Sequence, residues 1–345
     1  MFLYNLPVEL LDTICSHVPR PGLAALSQTS RSLHPVAQRV LYRRLSVSPF
    51  YRNLDVLTTL ASRPDVAFFV RSISINLDTS LPVLHASHTL LATALSHMPE
   101  LTSLDMCINP HASWVLTELS TYPRLHRLAC SFTLDSNVAD FLTKTPSLQE
   151  LELNTPAIFH PSVLSSSLPL PAIPSLRQFF GSSETARVIV PGRPLESIYL
   201  NSGELAEEDI KCLANGTARV RIFAATTRSL PNPLLDLLDL LARHLPHVVY
   251  LRIMTTHTFP TAPDVVSDSF LKIPKISLTE TFPEQAFYEQ VANRLAALSD
   301  LSAFELSGMH WGSRRGSDKR VWHSHPLATA HSDGTAYETE PSLPY

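Results

Sequence analysis

The first 45 residues alternate short apolar-patterned segments with prolines, a pattern typical of small helices. Pro7 suits the first turn of a helix, and Pro19 ends the segment that follows it. The apolar positions of this segment are Leu10, Leu11, Ile14 and Val18. Their spacing predicts one apolar stripe along an amphipathic helix. The segments 22–33 and 35–45 have similar patterns and predict two more helices. Three helices of this size lie near the lower size limit for an independent core, so docking on something else would stabilise them.

The N-terminal segment also contains a set of motif residues in a fixed register. They are Leu6-Pro7-Val8-Glu9-Leu10-Leu11, Ile14, Leu23, Leu26-Ser27, Ser30-Arg31 and Leu41-Tyr42-Arg43. In composition and position they resemble an F-box, a three-helix domain, over roughly residues 4 to 46. The Leu-Tyr-Arg ending is similar to that of fungal members. One departure is Pro21-Gly22, where many members have an acidic residue.

The resemblance implies a partner and a set of docking residues. F-box domains bind the adaptor Skp1 of cullin–RING ubiquitin ligases, so the resemblance implies an SCF-type ligase subunit with a Skp1-like adaptor and a cullin complex as partners. The docking residues it implies are Leu6, Pro7, Glu9, Leu10, Leu11, Ile14 and Leu26. The alternative is an ordinary amphipathic N-terminal hairpin that packs on the domain following it.

A second pattern, L-x-x-L-x-L, recurs through most of the chain, often two residues after a proline. Its copies begin at Val70, Leu101, Leu125, Leu148, Leu176, Leu195, Val220, Val248, Ile273 and Leu301. The copies at Leu176 and Val220 are the weakest matches. The steps between copies centre on the mid-twenties, which is the length of a leucine-rich repeat with an outer helix.

The segments between the copies have helical spacing, so the whole pattern predicts an α/β fold. One helix and one strand per repeat place short parallel strands on the inside and helices on the outside. We therefore predict an F-box over residues 1–46, an irregular leucine-rich-repeat-like solenoid over 47–311 and a disordered tail over 312–345. Asn109 alone occupies the asparagine position of such repeats, which predicts irregular curvature. A doubly wound α/β domain is the alternative, but its strands would be longer and rich in Val and Ile.

Within each predicted strand the leucines point inward, and the residues between them line the opposite face. These candidate substrate-binding residues are Ser103, Asp105, Arg127, Glu150, Glu152, Asn154, Tyr199, Asn201, Tyr250, Arg252, Lys275 and Glu305. The set combines both signs of charge with two tyrosines, and Tyr and Arg side chains often dominate protein–protein binding. It therefore predicts a surface for a protein substrate, whose identity the sequence does not give.

Composition excludes several other classes. A net charge of −4 gives no basic footprint for nucleic acid, and 9 Gly against 28 Pro disfavours phosphate-binding glycine loops. The 4 cysteines lie far apart, without the spacing of a zinc site or a disulfide framework. Neither a signal peptide nor a membrane-spanning segment is expected. We expect a protein of the cytoplasm, the nucleus or both.

Catalytic motifs are also lacking, so we predict a non-catalytic protein without a cofactor or a metal. His85 and His88 are one helical turn apart, but no carboxylate or cysteine completes a metal site with them. The function these patterns favour is a substrate receptor of a ubiquitin ligase. A leucine-rich-repeat scaffold capped by the N-terminal helices is the alternative. A hydrolase or transferase with a degenerate site is disfavoured by the scarcity of glycine and the missing nucleophile motif.

Overall fold

A computed structural model describes residues 6–77, 85–117, 121–154, 168–169, 172–203, 205–227, 234–255, 291, 294–295, 297–306, 309–315 and 320–326. The helices are α1 Val8–Ser16, α2 Arg20–Thr29, α3 His34–Tyr42, α4 Asp55–Ser62, α5 Pro64–Ala67, α6 His85–Ser96, α7 Ser136–Thr143, α8 Ser183–Ile189, α9 Glu207–Leu213 and α10 Leu234–His244. Two 3-10 helices lie at Pro49–Tyr51 and Pro110–Leu116. The strands are β1 Arg44–Val47, β2 Ser72–Asn76, β3 Ser103–Cys107, β4 Arg127–Cys130, β5 Glu150–Leu153, β6 Gln178–Ser182, β7 Ser197–Ser202, β8 Ile222–Thr227, β9 Tyr250–Thr255, β10 Ala303–Leu306, β11 Met309–Arg315 and β12 Arg320–Pro326.

The three predicted N-terminal helices are present as α1, α2 and α3. Pro7 and Pro19 occupy the N-cap positions of α1 and α2, and Pro35 lies in the first turn of α3. A missing backbone N–H costs nothing at these positions, which explains why each helix begins at a proline. The helices enclose a small core of their own, made of Leu11, Cys15, Leu23, Leu33, Val36 and Ala37.

All described strands belong to one sheet, in the order in which they follow along the chain. Neighbouring strands from β1 to β10 are parallel, while β11 is antiparallel to both of its neighbours, β10 and β12. Helices lie between most successive parallel strands, and α8, α9 and α10 pack in a row. The protein is therefore a mixed α/β structure with a parallel sheet that grows by one strand per helical connection.

The C-terminal part of the chain differs from the prediction of a disordered tail. Residues 312–315 belong to β11 and residues 320–326 form β12, which pairs with β11 over its whole length. The repeat pattern could not predict these strands, because two antiparallel strands joined by a short connection need no repeated apolar pattern. The predicted repeat copy at 273–278 lies outside the described residues, and β9 pairs directly with β10.

The two faces of the parallel sheet differ in burial, as the alternating pattern predicts. Leu104, Leu151 and Ile198 lie on the covered face and are buried in one continuous core. Their strand neighbours point to the other face, where most side chains are partly or fully exposed. We call this second surface the open face. Its residues lie side by side because all the described parallel strands keep nearly constant register.

The first strand, β1, lies at one edge of the sheet, and two side chains block its free edge. Arg20 of α2 donates from its guanidinium to the carbonyl oxygens of Arg44 at 3.0 Å and Leu41 at 3.3 Å. The Asn53 amide donates to the Ser46 carbonyl at 2.7 Å. Edge strands with unpaired carbonyls invite pairing with other chains, so these contacts protect β1. They also attach the N-terminal helices to the sheet.

Asp209 combines a helix cap with an ion pair, and we expect its removal to destabilise the sheet domain. Its carboxylate is 1% exposed, accepts the Ala206 N–H at 2.9 Å at the start of α9, and pairs with Arg187. Asp209→Ala should lower the free energy of unfolding by about 2 kcal/mol, the sum of a lost cap and a lost charged hydrogen bond. Urea unfolding measures this loss, and the exposed neighbour Glu208→Ala is the control, expected within about 0.5 kcal/mol of wild type. Equal urea midpoints for Asp209→Ala and Glu208→Ala would contradict a stabilising role of the Asp209 carboxylate.

Candidate adaptor-binding and substrate-binding surfaces

Helix α1 carries apolar side chains on two sides, and only one of these sides is buried. Leu11 and Cys15 point into the helical core. Leu10 and Ile14 are four residues apart and therefore share a face, yet they are 50% and 45% exposed. Val8 is 48% exposed. A pair of solvent-facing Leu and Ile side chains on one helix face is a surface suited to another protein.

The residues predicted to dock on the adaptor separate into three groups. Pro7, Glu9, Leu10 and Ile14 are exposed and form the accessible surface of α1. Leu6 and Leu26 are partly buried against the helical core. Leu11 is 7% exposed and lies within that core, where it packs α1 against the other two helices.

The N-terminal helices are fixed to each other and to the sheet. The Arg39 guanidinium on α3 pairs with the Asp12 carboxylate on α1 at 2.7 Å. Tyr42, the last residue of α3, packs against the large core of the sheet. A cleft of about 200 Å³ lies at this junction, lined by Asp12, Arg39, Val40, Arg43, Phe69 and Arg71. The exposed face of α1 is thus held by packing and by charged hydrogen bonds, without a flexible linker.

The predicted substrate-binding residues that the structure describes lie together on the open face. They are Ser103, Asp105, Arg127, Glu150, Glu152, Asn154, Tyr199, Asn201, Tyr250, Arg252 and Glu305. Lys275 lies outside the described residues. The sequence therefore predicts this surface residue by residue, because the period-two pattern of each strand fixes which side chains it exposes.

Strands β3 to β5 contribute a charged region, which we call the acidic end: Asp105, Arg127, Glu150 and Glu152. The Arg127 guanidinium pairs with Glu150 at 2.8 Å and with Glu152 at 3.4 Å. Ser74 donates to Asp105 at 3.2 Å, and Asn154 donates to Glu152 at 2.6 Å. Three carboxylates face one guanidinium, so the acidic end has a negative excess.

Strands β6 to β9 contribute a second region, which we call the aromatic centre: Phe180, Tyr199, Ile222 and Tyr250. The rings of Phe180 and Tyr199 are stacked, with centroids 6.3 Å apart. Ile222 lies directly opposite Tyr250 in the register of β8 and β9. Burial raises the pKa of the Tyr250 hydroxyl above its ordinary value, and a hydrogen bond that it donates to Glu305 adds to this rise. Tyr250 therefore stays neutral at physiological pH.

Phe180 and Ile222 are two large apolar residues of the open face that the sequence pattern does not identify. Phe180 lies in the weak copy that begins at Leu176, and Ile222 lies in the weak copy that begins at Val220. The signal that could find them is the alternation itself, since Phe180 follows the inward Phe179 and Ile222 precedes the inward Phe223. The pattern misses both because an apolar residue is expected to point inward.

The histidine pair on α6 is part of an aromatic cluster. The ring of His85 stacks on Trp114 with centroids 4.7 Å apart, and His88 meets the same indole edge-on at 6.2 Å. His88 is buried, and its Nε2 has no hydrogen-bond partner among the described residues. Within the described part of the chain, no group of three or more His, Cys, Asp or Glu side chains is placed to hold a metal.

Burial lowers the pKa of His88 below its ordinary value of 6.5, and the nearby His85 adds to this. The folded protein then resists protonation of His88 while the unfolded chain accepts the proton, so stability falls as the pH drops below about 6.5. His88→Phe removes this contribution. Between pH 7.5 and 5.5, we expect the urea midpoint of wild type to fall more than that of His88→Phe. Parallel curves for the two proteins would show that His88 does not titrate on unfolding.

The three N-terminal helices coincide with a known protein family. A family model described as F-box-like matches residues 3–48, the segment that contains α1, α2 and α3. No curated protein matches the chain. The N-terminus is therefore an F-box-like domain, and F-box domains bind Skp1 in SCF complexes. F-box proteins are typically non-catalytic adaptors. Among the described residues, no helix has the length and apolar character to span a membrane.

Proposed function

We propose that the protein is the substrate-recognition subunit of an SCF-type E3 ubiquitin ligase. The F-box-like helices bind a Skp1-like adaptor, which links the chain to a cullin complex, and the open face binds a protein substrate. The sheet and its helices, over residues 47–311, act as an irregular leucine-rich-repeat solenoid. The observation that carries this proposal is the exposed Leu10 and Ile14 face of α1 within a segment that matches an F-box-like family.

The mechanism is proximity, and the protein performs no chemistry itself. Holding a substrate beside a ubiquitin-loaded enzyme turns a bimolecular encounter into a step within one complex, which raises the effective concentration of the substrate lysine. The contacts of Arg20 and Tyr42 support this role, because they attach the adaptor-binding helices directly to the substrate-binding sheet. A rigid connection keeps the bound substrate at a constant position relative to the ligase. The cytoplasm, the nucleus or both are the compartments we propose.

A second candidate function is a scaffold that works outside the ligase. The contact of Arg20 with β1 favours this function, since the N-terminal helices would then act only as the cap that a repeat array needs. In this case the exposed face of α1 would have no adaptor. The two functions differ in one observable, the formation of a complex with Skp1.

Co-expression of the full chain with Skp1, followed by size-exclusion chromatography, tests the proposal. An equimolar complex that survives dilution supports the ligase subunit, and addition of the cullin and RING proteins should then extend the complex. A chain that elutes alone as a monodisperse species in the presence of Skp1 contradicts the ligase function and favours the scaffold.

A further inference from the structure

The open face has two chemically different regions, and together they define the segment that it fits. We propose that it binds an extended peptide with a Lys or Arg side chain at the acidic end. An aromatic or Leu side chain of the same peptide, about two to four residues away, binds at the aromatic centre. This inference rests on the proposed function and adds the substrate class, a basic and apolar linear segment.

The acidic end offers a position for one basic side chain. Asp105, Ala129 and Glu152 lie side by side on β3, β4 and β5 in the register of the sheet. Because Ala129 has only a methyl group, the two carboxylates face each other across a gap of about two strand spacings, roughly 10 Å. A Lys ammonium or Arg guanidinium placed above Ala129 lies within reach of both. Arg127 neutralises only part of this charge, since it alone faces three carboxylates.

The aromatic centre offers a position for an apolar side chain. Phe180, Tyr199, Ile222 and Tyr250 are all partly exposed, and the stacked rings of Phe180 and Tyr199 lie on the two strands of this region nearest the acidic end. Rigid aromatic rings that bury a partner's apolar side chain are typical anchors of protein–protein interfaces.

The charges around the aromatic centre do not favour an acidic peptide. Arg252 pairs with Glu305 at 3.1 Å, and Glu305 also accepts the Tyr250 hydroxyl. The positive charge of Arg252 is therefore already neutralised within the sheet. Arg44 is exposed on β1 but lies five strands away from Phe180, at roughly 24 Å. The nearest uncompensated charge on the described open face is the negative excess of β3 to β5.

The separation of the two regions fixes the spacing in the peptide. Strands lie about 4.8 Å apart, so Phe180 on β6 is one spacing from Glu152 on β5 and about 14 Å from Asp105 on β3. An extended chain rises about 3.3 Å per residue, so a peptide that crosses the strands covers this distance in two to four residues.

A phage-displayed library of random dodecapeptides, panned against the full-length wild-type protein, tests the inference. We expect enrichment of peptides with Lys or Arg two to four residues from Phe, Tyr, Trp or Leu. Synthetic versions of the enriched peptides should bind about tenfold more tightly than the same peptides with Asp in place of the basic residue. Absence of charge preference, or enrichment of Asp and Glu, overturns the inference.

Charge reversal provides the matched variants. Glu150→Lys/Glu152→Lys should reverse the preference from basic to acidic peptides, because the acidic end becomes positive. The control Asp140→Lys/Glu208→Lys makes the same charge change at exposed positions of α7 and α9, on the helical side of the protein, and should keep the wild-type preference. Tyr199→Ser should weaken binding of all enriched peptides by about tenfold, and Tyr199→Phe should restore it. Thermal unfolding confirms that each variant is folded, and an equal effect of both charge reversals would contradict a specific site.

Binding of Skp1 separates this inference from the proposed function. A protein that binds Skp1 but selects no basic and apolar peptide keeps its ligase function and loses the inferred substrate class. A protein that selects these peptides without binding Skp1 keeps the recognition surface and loses the ligase function.

Discussion

Replacement of both Leu10 and Ile14 by aspartate is expected to abolish the complex with Skp1 while the protein stays folded. Both side chains are about half exposed on one face of α1, so the two carboxylates are tolerated in the free protein. In the complex they would be buried against apolar groups, which costs several kcal/mol for each unpaired charge. Two central interface residues at about 2 kcal/mol each correspond to a loss of roughly 1000-fold in affinity. Pull-down and isothermal titration calorimetry with purified Skp1 measure this loss of affinity.

Two further variants show whether the loss is specific to this face of α1. Leu54→Asp/Leu90→Asp introduces the same charges at leucines that are 42% and 38% exposed on other parts of the surface, and it should bind Skp1 like wild type. Leu11→Asp places a carboxylate in the core of the F-box-like helices and should unfold them. If the Leu10 and Ile14 double variant binds Skp1 with wild-type affinity, α1 is not the adaptor-binding surface.

Arg193→Ala is expected to cause a larger loss of stability than the other substitutions proposed in the sheet and its helices. Arg193 is 1% exposed, and its guanidinium donates only to backbone carbonyls. The acceptors are Pro169, Ala172, Val188, Ile189 and Pro191, at distances of 2.6 to 3.3 Å. Burial lowers the pKa of this guanidinium, but arginine keeps its charge in proteins. The charge lies at the C-terminal end of α8, where the helix dipole favours a cation.

Removal of the guanidinium takes a donor from each of these carbonyls, of which Pro169 still accepts the Ala172 N–H, and it opens a cavity beside α8. We expect the free energy of unfolding to fall by about 3–4 kcal/mol. Arg193→Lys should recover only part of this, because an ammonium cannot reach carbonyls arranged for a planar five-donor group. The exposed Arg177→Ala is the control and should stay within about 0.5 kcal/mol of wild type. Urea unfolding followed by circular dichroism gives the comparison, and a wild-type midpoint for Arg193→Ala would show that water replaces the guanidinium.

Local sequence patterns determined the elements and most of the surfaces. Pro7 and Pro35 mark where two of the three helices begin, because proline fits the first turn of a helix and disrupts later ones. The sequence pattern predicts only that Pro19 ends the first helix, and in the structure Pro19 is also the N-cap of α2. The L-x-L runs predict the strands and the side chains that each strand exposes, since a strand has a period of two. For this reason the alternation alone is enough to assign Asp105, Glu152 and Tyr199 to one face of the sheet.

Contacts between distant segments determined which side chains are buried and which contacts form between elements. Leu10 and Leu11 are neighbours with equal hydrophobicity, and only the positions of α2 and α3 determine that Leu11 is buried and Leu10 exposed. The ring stack of Phe180 and Tyr199 depends on the register between β6 and β7. The hydrogen bonds that Arg193 donates to Pro169 and Ala172 depend on how the segment before β6 folds back on α8. The strands after residue 308 carry no apolar period and exist through pairing with β10. The local period of a sequence predicts which side of a helix or strand is apolar. Which other segment covers that side is determined only when the whole chain folds.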